Sequence, residues 1–215
     1  MKAPVLLLAI FAALAPGAGW AAPLERDLGQ GLAYFRVHSI ATDLPPDQSV
    51  RNRPCVVDVR YVRGDRAAAS ALLAWLKAHA RPKSPVFLLA NPGTAAVLLV
   101  PLNSAGAVPE LVVLGPSARN FEPDISVSVA PSAERRAYDA LENGASIDSL
   151  VVEKVEKARD DEERLDREHL SDSAPPDRAG ESGQPAPPAA APSPIDPVLQ
   201  RAVQLHRALL ALKRL

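Results

Sequence analysis

Residues 85–96 read Pro-Val-Phe-Leu-Leu-Ala-Asn-Pro-Gly-Thr-Ala-Ala, and this stretch decides the fold class. Val86 to Leu89 is a continuous apolar run, as in a strand buried on both faces. Asn91-Pro92-Gly93 is a turn signal, and Thr94 is positioned to cap a following helix. Pro101 limits that helix. The same alternation extends in both directions. Upstream, Leu32 to Val37 reads as a strand and Cys55 to Arg60 as a β-branched one. Asp65 caps a helix whose Ala69, Leu72, Leu73 and Leu76 recur at helical spacing. Downstream, Leu111 to Gly115 is another buried strand, and Ile125 to Val129 alternates like a half-exposed one. Ser132 opens a helix with Ala137, Tyr138 and Leu141 on one face, ended by Asn143-Gly144. Continuous apolar strands separated by helices predict an α/β layered domain with a largely parallel sheet over about residues 30–150.

The flanks differ from this core. Met1 to Ala21 has the form of a secretory signal: Lys2, an apolar run from Val5 to Leu14, then Gly19-Trp20-Ala21. Cleavage after Ala21 would leave an exported chain, periplasmic or secreted, with no transmembrane segment. Residues 151–170 are dense in charge of both signs, a solvated helix or segment. Residues 171–195 are rich in Pro and Ala and predict a disordered linker. Residues 196–215 predict an amphipathic helix. Asp196 is a good N-cap, Pro197 suits the first position, and Lys213 and Arg214 fall in the last turn. Val198, Ala202, Leu205, Leu209 and Leu212 form its apolar stripe. A long spacer before such a face predicts that it binds an unidentified protein partner or a second copy, with docking on its own domain as the competing destination.

Composition excludes several classes. The chain has 215 residues, 24 Lys and Arg against 25 Asp and Glu, and a net charge of −1, so there is no electrostatic footprint for nucleic acid. Aromatic residues are 4%, too few for base-stacking or sugar platforms. The single cysteine, Cys55, rules out an intramolecular disulfide, and in a buried strand it reads as a small core residue. His38, His79, His169 and His206 lack metal-ligand spacing, so neither metal nor cofactor is implied. Arg63-Gly64-Asp65 matches an adhesion tripeptide but sits between a strand and a helix.

Four segments, in order, resemble the tail-specific (C-terminal processing, S41-type) peptidases of the ClpP/crotonase superfamily. Asp58-Val59-Arg60 and Gly64 resemble their D-L-R-x-N-x-G-G, and Asn91-Pro92-Gly93-Thr94-Ala95 their N-x-G-T-A-S. Val113-Leu114-Gly115 resembles the V-G-E strand end, and Pro123-Asp124-Ile125 the late P-D-I motif. The resemblance implies a ClpP/crotonase-like fold. It also implies where a Ser–Lys dyad would stand, and there the chain departs from the family. The nucleophile position is Ala96. No Lys occurs between Lys83 and Lys154, where the general base would lie. Val62 replaces the family's Asn, and Asp65 its second Gly. No catalytic residue is therefore assigned; Asp58, Arg60, Gly64 and Thr94 remain as remnants of a ligand site. The implied function is a non-catalytic binding or scaffolding protein. The alternative is an enzyme of other chemistry on the same fold, with an acid pair such as Asp58 and Glu122.

Overall fold

The computed structural model describes residues 24–102, 108–151 and 194–215. The stretch read as an export signal, most of the charged segment with His169, and nearly all of the Pro/Ala-rich stretch lie outside the described residues. The fold is mixed α/β, built on a six-stranded sheet in sequential order. Strand β1 (Leu24–Asp27) pairs antiparallel with β2 (Ala33–Arg36). Strands β2, β3 (Cys55–Asp58), β4 (Val86–Leu89), β5 (Leu111–Gly115) and β6 (Ile125–Ser126) are parallel. The expected strand over Ile125–Val129 is shorter in regular pairing, though Val127 N still donates to the Gly115 carbonyl at 2.9 Å. A side chain at Gly115 would run into the Ala90 carbonyl, 1.9 Å from an added Cβ, so β4 and β5 need glycine there.

Side chains alternate across the sheet with period two. Ala33, Phe35, Cys55, Val57, Val86, Leu88 and Val113 face one layer. That layer holds four helices: α1 (Ile40–Asp43), α2 (Asp47–Val50, through Val50), α3 (Arg66–His79) and α4 (Ala96–Leu99). Asp65 caps α3 by accepting from Ala68 N at 2.9 Å, as the sequence predicts. Tyr34, Val56, Phe87, Leu89 and Leu114 face the other layer. This layer contains α5 (Pro131–Glu142), α6 (Ile147–Leu150) and α7 (Pro197–Ala211).

This arrangement explains where the C-terminal helix goes. Parallel strands in sequential order, joined by crossovers of one hand, place their crossover helices on the same face. The opposite face is left for whatever follows the last strand. Helix α7 covers it: Val198, Leu199 and Ala202 are fully buried and Val203 nearly so. Of the destinations open to this helix, the structure shows it docked on its own sheet. Of the proposed stripe, Val198 and Ala202 are buried and Leu205 and Leu209 half-buried, while Leu212 is 70% exposed. A long intervening segment does not prevent docking, because loop-closure cost grows only logarithmically with length. Its two ends are adjacent, with Asp196 N donating to the Leu150 carbonyl at 2.9 Å. Lys213 and Arg214 lie beyond the last turn, and Lys213 adopts a left-handed backbone (φ 55°).

Candidate functional site

In parallel α/β sheets, ligands bind outside the carboxyl ends of the strands. At those ends β2 places Tyr34 and Arg36, β3 places Asp58 and then Arg60, and β4 leads into Asn91 and Thr94. Helix α5 contributes Glu134 and Tyr138, and the residue before α7 is Asp196.

Arg60 is the hub, with no exposed surface. Its Nε donates to Asp58 Oδ1 at 2.9 Å and its Nη2 to Asp58 Oδ2 at 2.6 Å. Its other edge grips Asp196, Nη1 to Oδ1 at 3.2 Å and Nη2 to Oδ2 at 2.7 Å. Asp196 also accepts from Leu199 N at 3.0 Å and so caps α7. The Tyr34 hydroxyl donates to Asp58 Oδ2 at 2.8 Å, and Arg36 Nε donates to that hydroxyl at 3.2 Å. Burial and, next, the neighbouring Asp58 carboxylate push the Tyr34 hydroxyl well up, which keeps it protonated and donating. Burial alone would raise the Asp58 carboxyl; the Arg60 guanidinium overcomes it and holds the group below its ordinary value. Arg36 stacks 3.9 Å over the Tyr138 ring and lies 3.6 Å from Glu142 at the rim. Within the buried part, the guanidiniums of Arg36 and Arg60 face three carboxyl groups, those of Asp58, Asp196 and Glu134.

The Asn91–Thr94 turn is built just as tightly. Asn91 Oδ1 accepts from Gly93 N at 3.0 Å and Thr94 N at 3.1 Å. Thr94 is not the helix cap expected from the sequence. Its hydroxyl donates to the Val59 carbonyl at 3.0 Å and accepts from Asn91 N at 3.2 Å, tying the ends of β3 and β4 together. Helix α4 starts at Ala96 after Ala95 instead, with no side-chain cap. Tyr61 closes the centre from outside. It has a left-handed backbone (φ 63°) and packs on Gly93, where an added Cβ would lie 2.5 Å from its ring. Tyr138 meets it edge-on at 4.9 Å and Arg135 covers it at 4.7 Å.

Ala96 is exposed on α4, outside this centre. Gly64 is exposed before α3, where an added Cβ would meet the Leu98 side chain at 2.8 Å. Glu122 is exposed, whereas Asp58 is sealed, and both Asp58 oxygens are committed to Tyr34 and Arg60. The acid pair suggested by the sequence does not form a site. Asp124 accepts from Val113 N at 2.8 Å, which gives the Pro-Asp motif a structural task. Burial pushes the Cys55 thiol up to about 12, leaving it unreactive at neutral pH. His206 is buried, with Nε2 3.1 Å from the Gln30 carbonyl; burial pulls its pKa down, so it is neutral there. A cleft of about 880 Å³ lies at the amino ends of the strands, beside α2 and the end of α3. His79 in its wall is held by the Trp75 carbonyl at 2.8 Å and by Asp47 at 3.1 Å. Among the described residues, no group of three or more His, Cys, Asp or Glu is placed to hold a metal ion.

Sequence reasoning passed over Glu134. It lies in the first turn of α5, 3% exposed, and its Oε1 has no hydrogen-bond partner among the described residues. Burial pushes its carboxyl up, with Asp196 and Asp58 adding to the effect against Arg60 and Asn91. A folded-state value above the unfolded one contributes stability below the ordinary carboxylate range. That contribution is lost as pH rises through the raised value. Glu134→Gln should therefore raise the urea midpoint at neutral pH and match the wild type in acid. A lower midpoint at neutral pH would contradict this account of Glu134.

No family model matches the chain, and no curated protein matches it. Among solved structures, a lipoprotein from Streptococcus agalactiae is similar over 56% of this chain and 70% of the other, with 12% identity and a TM-score of 0.34. Among the described residues, no helix is long and apolar enough to cross a membrane.

Proposed function

We propose that the chain is an exported, non-catalytic binding or scaffolding protein on a degenerate tail-specific-peptidase-like core. Met1–Ala21 is read as its export signal. Residues 171–195 serve in this proposal as the connection to the C-terminal helix. One observation carries the non-catalytic part. The polar centre at the strand ends is sealed, and Asp58 and Asp196 are bonded to Arg60 rather than offered to a ligand. General acid–base catalysis needs a group within hydrogen-bond reach of a substrate proton. Asp58, Arg60 and Thr94 are too deeply buried to meet one. Ala96 offers no hydroxyl, and the sequence has no Lys where the family's base would stand.

The test is incubation of the purified mature protein with an unfolded polypeptide such as casein, followed by mass spectrometry. No product above a buffer control is expected. The same result is expected for Ala96→Ser, since a serine without its base is a poor nucleophile. Cleavage that co-purifies with the protein through successive columns would overturn the proposal.

A further inference from the structure

The two edges of the sheet are not alike. Strand β1 carries Glu25, Arg26 and Asp27, the charges that ordinarily protect an edge from pairing. The other edge, β6 and the residues after it, reads Ile125-Ser-Val-Ser-Val129, without charge or proline. It is β-branched at alternate positions, and no described strand pairs with its outer side. Because Val127 N donates to the Gly115 carbonyl, the Ser126 backbone groups and the Ser128 N–H point away from β5. Beside this edge lies a groove of about 310 Å³, walled by Ser126, Val127 and Ser128 on one side and by Gln200, Arg201 and Gln204 of α7 on the other.

We propose that this edge binds an extended peptide segment of a partner protein as a seventh strand, with an acidic side chain of that segment meeting Arg201. Backbone pairing supplies affinity in this mode, and alternate side chains supply selectivity. An incoming antiparallel strand takes the outward groups of Ser126 and Ser128, and every second side chain falls toward α7. There Arg201 is exposed and supplies the positive charge. A second copy fits less well. A two-fold pairing centred on Val127 would keep both α7 helices on the same face and bring two Arg201 side chains to one joint. The inference rests on the reading as a binding protein and names its surface.

The test uses the full mature chain and a synthetic peptide, acetyl-Thr-Val-Glu-Val-Thr-Val-amide, followed by backbone NMR. Saturable shifts are expected at Ile125–Val129 and Gln200–Gln204. N-methylation of the peptide at the pairing nitrogens should abolish them. Replacing its Glu by Lys, or Arg201→Glu in the protein, should weaken binding by roughly 2–5-fold, the worth of an exposed ion pair. Absence of saturable shifts, or equal binding of the N-methylated peptide, would overturn the proposal. A concentration-dependent dimer lost in Ser128→Pro would also overturn it, in favour of a second copy. Cleavage of the peptide would overturn the non-catalytic reading while leaving the edge site standing.

Discussion

Arg60→Met should destabilise the protein by about 3–5 kcal/mol, because breaking a buried ion pair leaves an uncompensated charge in a medium that cannot solvate it. Here the loss is compounded. Asp58 and Asp196 are both gripped by the same guanidinium and would face each other without it. The pH dependence should change sign. In the wild type the depressed Asp58 value contributes stability above the unfolded carboxylate range, lost as pH falls through the folded value. In the variant the two carboxylates gain by taking up a proton, so stability should rise on mild acidification. Urea unfolding at several pH values measures both effects. A loss below about 1 kcal/mol, the scale of a surface pair, with the wild-type pH slope would show that the cluster is not a clamp.

Truncation after Pro194 should have the second large effect. Fully burying a Val or Leu side chain is worth about 1.5–3 kcal/mol, and α7 supplies Val198, Leu199 and Val203 to the sheet. Against a typical total of about 5–15 kcal/mol, losing all three with the Asp196 grip should leave a chain that does not unfold cooperatively. A peptide spanning 194–215, added separately, should restore cooperative unfolding. Single substitutions should separate the two ends of the helix. Val203→Asp reproduces much of the truncation, whereas Leu212→Asp is neutral because Leu212 already faces solvent. A truncated chain that stays soluble and melts like the full protein would refute the role assigned to α7.

What could be read in advance follows from how local each signal is. Strands β3, β4 and β5 announce themselves as apolar runs between turns, because burial on both faces favours apolar side chains, Asp58 at the end of β3 being buried with its ion pair. Asp65 and Asp196 are legible as caps because capping involves residues only three apart. Strand β1, Leu-Glu-Arg-Asp, gives no such signal, because an edge strand facing water has no apolar face to show. Helices α1, α2 and α6 have four residues each, too short for a period. The sealed centre was legible only in part. Asp58 and Arg60 are two residues apart and their pairing is local, but Asp196 joins them across 136 residues. Nothing in a single sequence marks that contact. The destination of α7 was hidden for a related reason. Its apolar stripe is the same whether it packs on its own sheet or on a partner. The choice is made by the sheet, whose crossover helices leave one face uncovered. Thr94 reads as a cap in the sequence but bonds the neighbouring strand end, a partner that only the β3–β4 register reveals.

The central claim is that α7 is a structural layer of the domain, locked by Asp196 to Arg60 and Asp58. Native-state hydrogen exchange on the chain from residue 22 to 215 tests it most directly. The amides of Gln200 to His206 should exchange only through global unfolding, with protection equal to that of Val56 and Phe87 in the central strands. Exchange of those helix amides at the rate of a free peptide, while the strands stay protected, would contradict it.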